Sequence, residues 1–264
     1  MFSTFHIMHP LIYIGKLFFG LGIAGIGLLQ FIYPGFRPVI LPISPEATQH
    51  LNFLVYLTGA LIVASGLAIA FLKNVRIIAL TLGFFLLLFV VFGHLPERFT
   101  NHPESLGAWT NALKLLALSG GTFMVARANN WKNKKTGVDK FALCGKYFFA
   151  LLLVLFGIDH FLYTDFVKTL VPFWIPGPLF WTYLAGIALF GSGVALFINF
   201  KPKTISLLLG IMLLIWLIIL HIPRASIAPP ADNGNELTSV FQALAFSGMA
   251  FLSGFMQKDF TRRR

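Results

Sequence analysis

Long apolar windows follow one another along most of this 264-residue chain, and they restrict its fold more than any other feature. An α-helix needs about 20 apolar residues to cross a hydrocarbon layer about 30 Å thick. Such windows cover residues 11–32, 52–72, 75–94, 107–127, 142–163, 178–199, 204–222 and 238–256. Runs such as residues 80–93 do not alternate between apolar and polar side chains, as the strands of a membrane barrel would. The sequence therefore predicts an all-α polytopic membrane protein with eight transmembrane helices.

The basic residues are distributed in step with these windows. A net charge of +11 could suggest a nucleic-acid partner, but only 11% of the residues are charged and 57% are hydrophobic. With a cytoplasmic N-terminus, the inner segments hold most of the basic residues, namely Lys73, Arg76, Arg127, Lys132, Lys134, Lys135, Lys140, Lys201, Lys203, Lys258, Arg262, Arg263 and Arg264. Because cytoplasmic loops are enriched in Lys and Arg, this pattern predicts a cytoplasmic (inner) membrane, cytoplasmic N- and C-termini and no nucleic-acid partner.

The two halves of the chain match each other in four places. The matching pairs are GLLQFIY (27–33) with GIDHFLY (157–163), LTGALIVASGLAI (57–69) with LAGIALFGSGVAL (184–196), HLPERF (94–99) with HIPRAS (221–226), and LALSGG (116–121) with LAFSGM (244–249). We therefore expect one four-helix unit at 1–127, a basic cytoplasmic linker at 128–140 and a second four-helix unit at 141–264. Units with an even number of crossings share orientation, which predicts a pseudo-two-fold axis along the membrane normal.

The second unit carries several recognisable local patterns. They are a Gly-x-x-His-Phe helix end, a Pro-x-Trp-Ile-Pro loop and a Tyr-x-x-Gly helix within GIDHFLYTDFVKTLVPFWIPGPLFWTYLAGIALFGSGVALF (157–197), followed by HIPR (221–224). These residues resemble the DoxX family of small four-helix membrane proteins. The first unit resembles the family more loosely, through WTNALKLLALSGGTFMVA (109–126). The first unit departs from the family pattern at Gln30, which stands where the second unit has His160. The presence of two units in one chain is a further departure.

The resemblance implies a fold more than a reaction. Members of the DoxX family are linked to thiosulfate oxidation with quinone as the acceptor, to redox-stress membrane complexes and, among distant relatives, to the assembly of membrane receptors. The resemblance therefore implies a membrane subunit associated with redox chemistry and leaves open whether this chain is an enzyme.

Polar residues from several windows are predicted to lie at one depth. We count outward from the inner basic residue of each helix at about 1.5 Å per residue. This places the polar residues about 20 to 27 Å from that residue, in the outer third of the membrane. They are Gln30, Lys114, Asp159, His160 and Gln242, with His94 and His221 slightly higher. Two interpretations stay open: helix ends near lipid head groups tolerate such residues, or ionisable groups in the membrane mark a cavity for a ligand. Under the first, His94 and His221 only begin loops in which Pro96 and Pro223 stop the helix.

Under the second interpretation, the polar groups above apolar walls suit a quinone or another lipid-like molecule. His160 beside Asp159 could exchange a proton with a quinone oxygen. Arg98 and Arg224 would hold an anionic group near the mouth, and Gln30 would replace the proton-handling residue in the first unit. The lone Cys144 allows no internal dithiol, and no haem-attachment or iron–sulfur spacing is present, so electrons would come from a redox partner or a small substrate.

Two other possibilities are weaker on these residues. A haem held between His94 and His221 is disfavoured, because histidines at helix ends are common without metals, and no intrinsic cofactor or metal site is expected.

The main alternative function is a non-catalytic accessory or assembly subunit, whose lipid-facing helices would bind a larger membrane protein complex.

Overall fold

The computed structural model describes residues 10–43, 45–101, 103–129 and 137–255. Over these residues the chain is helical and contains no strand, which confirms the all-α prediction. In the described part, six helices are long and apolar enough to cross a membrane: Pro10–Ile32, Asn52–Phe71, Arg76–Thr100, Gly137–Leu162, Pro178–Phe197 and Pro202–Ser226. The chain is therefore a multi-pass membrane protein. Residues 130–136 of the predicted linker and the basic residues Lys258, Arg262, Arg263 and Arg264 lie outside the described residues.

The eight longest helical segments in the described ranges are numbered α1 to α8 in chain order. They are α1 Pro10–Ile32, α2 Asn52–Phe71, α3 Arg76–Phe89, α4 Thr110–Ala128, α5 Cys144–Leu162, α6 Pro178–Phe197, α7 Pro202–Trp216 and α8 Asn235–Ser253. Each overlaps one of the predicted windows. Helices α4 and α8 begin with polar turns and are not among the six, so their crossing of the membrane stays a prediction.

Helices α3 and α7 continue beyond the prolines that were expected to stop them, so that expectation is wrong. Each passes through a π-helical turn, Val90–His94 in α3 and Leu217–His221 in α7. The extensions Leu95–Thr100 and Ile222–Ser226 follow directly. Proline lacks an N–H group and crowds the carbonyl four residues before it, which normally breaks a helix. The wider π turn precedes each proline and accommodates it, so that a histidine ends each turn within the helix.

The helices of the two halves are interleaved. Helix α1 packs against α2 and α8, whereas α5 packs against α6 and α4. Helix α3 packs on α4, α7 packs on α8, and α4 also touches α8. The last long helix of each half therefore lies against the first helix of the other half, which carries side chains of α4 into the neighbourhood of α5.

Glycines allow these helices to cross closely. A Cβ atom on Gly120 of α4 would lie 2.5 Å from the carbonyl oxygen of Gly145 in α5. A Cβ atom on Gly248 of α8 would lie 2.6 Å from the carbonyl oxygen of Gly15 in α1. Contacts that short are possible only without side chains, so the two crossings depend on small residues, as close helix packing in membranes commonly does.

Two buried lysines lie near the starts of α1 and α5, at the opposite helix ends from Gln30 and His160. The Lys16 amino group donates to the carbonyl oxygen of Leu72, 2.7 Å away, just beyond the end of α2. The Lys146 amino group donates to the side-chain oxygen of Asn199, just beyond the end of α6. The last carbonyl groups of a helix lack partners within it and attract cations, so Lys16 stabilises the end of α2, and Lys146 places a positive charge close to the end of α6.

Candidate functional site

A cavity of about 600 Å³ lies between helices α4, α5, α6, α7 and α8. We call it the outer cavity, because its polar residues lie toward the predicted outer loops. Its apolar wall includes Phe149, Leu153, Phe156, Leu189, Leu213 and Phe246. Cavities of this size hold drug-sized ligands, and walls that are mostly apolar with a few polar groups are typical of such sites.

The polar end of the outer cavity brings together six of the nine predicted site residues. They are Lys114, Asp159, His160, His221, Arg224 and Gln242. These side chains come from four helices, and Lys114 reaches the cavity because α4 packs against α5. Of the seven residues that the depth estimate selected, five therefore line one cavity, although their role in binding stays a prediction. They are Lys114, Asp159, His160, His221 and Gln242.

Two buried polar atoms at this end lack partners. Within the described ranges, neither Oδ1 of Asp159 nor Nδ1 of His221 has a hydrogen-bond partner. The Lys114 ammonium lies over the Phe156 ring, 5.7 Å from its centroid. Leaving a buried polar group unpaired costs about 1–3 kcal/mol. A ligand that pairs with these groups would recover part of that free energy.

The orientation of His160 is fixed by its own helix. Its Nδ1–H donates to the carbonyl oxygen of Phe156, one turn earlier, at 2.7 Å. In a neutral imidazole, one nitrogen donates and the other accepts. With the proton held on Nδ1, Nε2 of His160 is the nitrogen that can accept a proton, which suits proton exchange with a bound molecule.

The mouth of the cavity carries an ion pair that the sequence analysis did not predict. Arg224 Nε donates to Oε2 of Glu236 at 3.2 Å, and Nη2 of the same guanidinium pairs with Oε1. Glu236 lies in the first turn of α8, where its amide donates to Asp232 at 2.9 Å. The expected role of Arg224 in holding an anionic group is therefore weakened, because a carboxylate of the chain already neutralises it.

Two tryptophans in the cavity wall were also missed as site residues. Trp181 of α6 and Trp216 of α7 line the cavity, with ring centroids 6.4 Å apart in an edge-to-face arrangement. The Trp181 indole N–H donates to the carbonyl oxygen of Pro176 at 3.1 Å, which fixes that ring. Nothing in the local sequence distinguishes these residues from an aromatic belt at the membrane interface.

Three predicted site residues, Gln30, His94 and Arg98, lie outside the outer cavity. Gln30 is fully buried against α2, where its amide group donates to the Thr58 hydroxyl at 3.4 Å. Arg98 pairs with the adjacent Glu97 and donates to the carbonyl oxygen of Ala108 at 3.1 Å. Neither residue lines the outer cavity, so Gln30 and Arg98 do not share this site with His160.

His94 does not line the cavity and is covered by the segment that follows α1. Its Nε2–H donates to the carbonyl oxygen of Val39 at 3.1 Å, and the residue is only 1% exposed. A haem held by His94 and His221 does not fit this arrangement, because the His94 nitrogen is already engaged. Among the described residues, no group of three or more His, Cys, Asp or Glu side chains is placed to hold a metal ion.

Comparison of the chain with protein-family models, curated proteins and solved structures finds no match.

The geometry predicts that a cysteine in the cavity reacts with a small charged thiol reagent. Cys144 is first replaced by Ala, and Ser239→Cys and Ser247→Cys variants are then compared. Both serines lie on α8, but Ser239 lines the cavity, whereas Ser247 is fully buried with its hydroxyl bonded to Gly210 at 2.9 Å. Mass spectrometry should show rapid labelling of the Ser239→Cys variant alone. Equal labelling of both variants would contradict the cavity.

Proposed function

We propose that this membrane protein binds a quinone or quinone-like lipid in the outer cavity, as a subunit associated with redox chemistry. One observation carries the proposal: Lys114, Asp159, His160 and His221 meet at one end of a cavity whose other walls are apolar and aromatic. A molecule with a polar ring and a hydrocarbon tail matches both parts. The ring would bind at the polar end, and the tail would lie along the apolar wall.

The polar end has the groups needed for proton transfer to a quinone. Reduction of a quinone to a quinol takes up two electrons and two protons. Asp159 and His160 are adjacent on α5 and both line the cavity, so they can exchange protons with the two ring oxygens. The Lys114 ammonium would stabilise negative charge that develops on a ring oxygen. The electrons would come from a protein partner or a small reduced substrate, because a single cysteine forms no dithiol.

We also propose that the chain consists of two DoxX-like units with eight transmembrane helices, related by a pseudo-two-fold axis. Several paired contacts support this proposal. The packing of α1 on α2 and α8 corresponds to that of α5 on α6 and α4. The Ser119 hydroxyl donates to Gly83 at 2.8 Å, as that of Ser247 does to Gly210 at 2.9 Å. The proposed location is the cytoplasmic membrane, with both termini in the cytoplasm.

Filling the outer cavity should weaken quinone binding. Ala185 and Ile187 lie on α6, but Ala185 lines the cavity and Ile187 is 61% exposed on the outer surface of the bundle. We expect Ala185→Phe to weaken binding of a short-chain ubiquinone analogue by about tenfold or more, which corresponds to about 1.4 kcal/mol. Quenching of the Trp181 and Trp216 fluorescence in mild detergent measures the affinity.

Ile187→Phe is the matched control and should bind as the unsubstituted protein does. Equal weakening in both variants would argue against this site. Absence of saturable binding to the unsubstituted protein, together with a stoichiometric protein partner, would favour the accessory role instead.

The eight-helix arrangement predicts that α4 crosses the membrane. Asn101 precedes α4 and Lys140 follows it, and both residues are exposed. In intact cells producing the full chain with Cys144 replaced by Ala, an impermeant thiol reagent should label an Asn101→Cys variant. It should label a Lys140→Cys variant only after the membrane is permeabilised. Labelling of both variants in intact cells would mean that α4 does not cross the membrane.

A further inference from the structure

The two histidines that end the π-helical turns have different surroundings. His94 and His221 occupy matching positions, since each is followed by an apolar residue and then by proline. The Nε2–H group of His94 donates to the Val39 carbonyl oxygen at 3.1 Å. His221 lines the outer cavity instead, and in the described part of the chain its Nδ1 has no hydrogen-bond partner. In the first half the Nε2–H group of the matching histidine therefore has its acceptor within the chain, whereas the nitrogen of His221 that lacks a partner among the described residues is Nδ1.

The acceptor in the first half comes from the segment between α1 and α2. Phe36, Val39 and Ile40 of this segment are at most 7% exposed and belong to the hydrophobic core. Leu41 packs so closely that a Cβ atom on Gly93 would lie 2.3 Å from its Cδ1. This segment bonds the His94 ring through the Val39 backbone, and His94 is buried.

The corresponding segment of the second half lines its cavity without filling it. The sequences YPGFRPVILP (33–42) and YTDFVKTLVP (163–172) share Tyr, Phe and Pro at the same positions. Phe36 is buried, whereas its counterpart Phe166 is 65% exposed. Val39 is buried, whereas its counterpart Thr169 is exposed. Space that the first half fills with its own chain is therefore available to a ligand in the second.

The charges around the outer cavity are balanced within the protein. The Arg224 guanidinium pairs with Glu236 at the mouth. The Lys114 amino group and the Asp159 carboxyl group both line the polar end and carry opposite charges when ionised. An anionic or cationic head group would upset this balance in a medium where unpaired charge is costly. A neutral head group would leave this charge balance unchanged.

We infer that the ligand of the outer cavity presents a neutral carbonyl oxygen to His221, as the Val39 backbone does to His94. The inference rests on the proposed function and on the internal repeat, and the recognised group is a neutral carbonyl oxygen. A quinone carbonyl and the acyl ester of a neutral lipid both supply such an oxygen. A ligand without a hydrogen-bond acceptor at this position leaves the histidine N–H group unpaired.

The test compares two pairs of probes that differ in the carbonyl group. The first pair is a short-chain benzoquinone and its hydroquinone dimethyl ether, and the second is a diacylglycerol and its dialkyl ether analogue. Binding of each probe to the full chain is measured in mild detergent. We expect the carbonyl member of at least one pair to bind about tenfold more tightly, because an ether oxygen is a weaker acceptor and leaves the buried donor poorly paired. The pair that shows this preference identifies the source of the carbonyl.

Variants of His221 assign the preference to this side chain. His221→Leu removes the N–H donor and should abolish the preference, whereas His221→Gln keeps an amide donor and should retain part of it. His50→Leu is the control, because His50 is exposed and outside the cavity. Infrared spectroscopy with a ¹³C-labelled carbonyl gives a direct signal. The carbonyl band should shift to lower frequency in the unsubstituted protein and in His221→Gln.

The outcomes separate the inference from the proposed function. If no probe of either pair binds the unsubstituted protein, the proposed function fails and the inference fails with it. If both members of each pair bind equally well, or if the carbonyl band does not shift, the inference alone is overturned. If His221→Leu does not fold, the His221→Gln variant decides the question, because a carbonyl preference equal to that of the unsubstituted protein would overturn the assignment to His221.

Discussion

The structure depends on the cost of burying polar groups away from water. In a membrane protein every polar group needs an internal partner, because lipid supplies none. Most of this chain meets that requirement: Lys16 bonds to Leu72, and the hydroxyls of Ser119 and Ser247 bond to backbone carbonyls on neighbouring helices. Among the described residues, the buried side-chain atoms without partners belong to Gln30, Arg37, Asn129, Asp159 and His221. The last two lie in one cavity, so the polar end of that cavity is where a ligand can supply what the chain does not.

The interleaving of the two halves explains how this polar end is assembled. Because α4 packs against α5, Lys114 from the first half lies with Asp159 and His160 from the second. Helix α8 contributes Gln242 and Glu236, and the π turn of α7 contributes His221. Each helix adds one to three polar residues to an apolar wall, so no single helix carries a strongly polar face. The site therefore arises from helix order and depends on the glycine-mediated crossings that hold α4 against α5.

The sequence predicted the helices and much of the polar end, because apolar windows and rise per residue are local properties. It placed Asp159, His160 and Lys114 at one depth, and they share a cavity. It could not predict that His94 would be covered, since this depends on how the segment after α1 folds back over α3. The π turns were missed because proline normally ends a helix. Glu236 was missed because its pairing with Arg224 depends on how α8 packs. The DoxX resemblance stays a prediction.

The central claim is that one cavity, lined by the second half together with α4, holds an amphipathic ligand. The most direct measurement is mass spectrometry of the intact protein released from its native membrane in mild detergent. The account predicts one neutral amphipathic molecule for each chain, because His94 in the first half is covered by residues 36–41 and His221 is not. Two molecules for each chain, or none together with a stoichiometric protein partner, would contradict it.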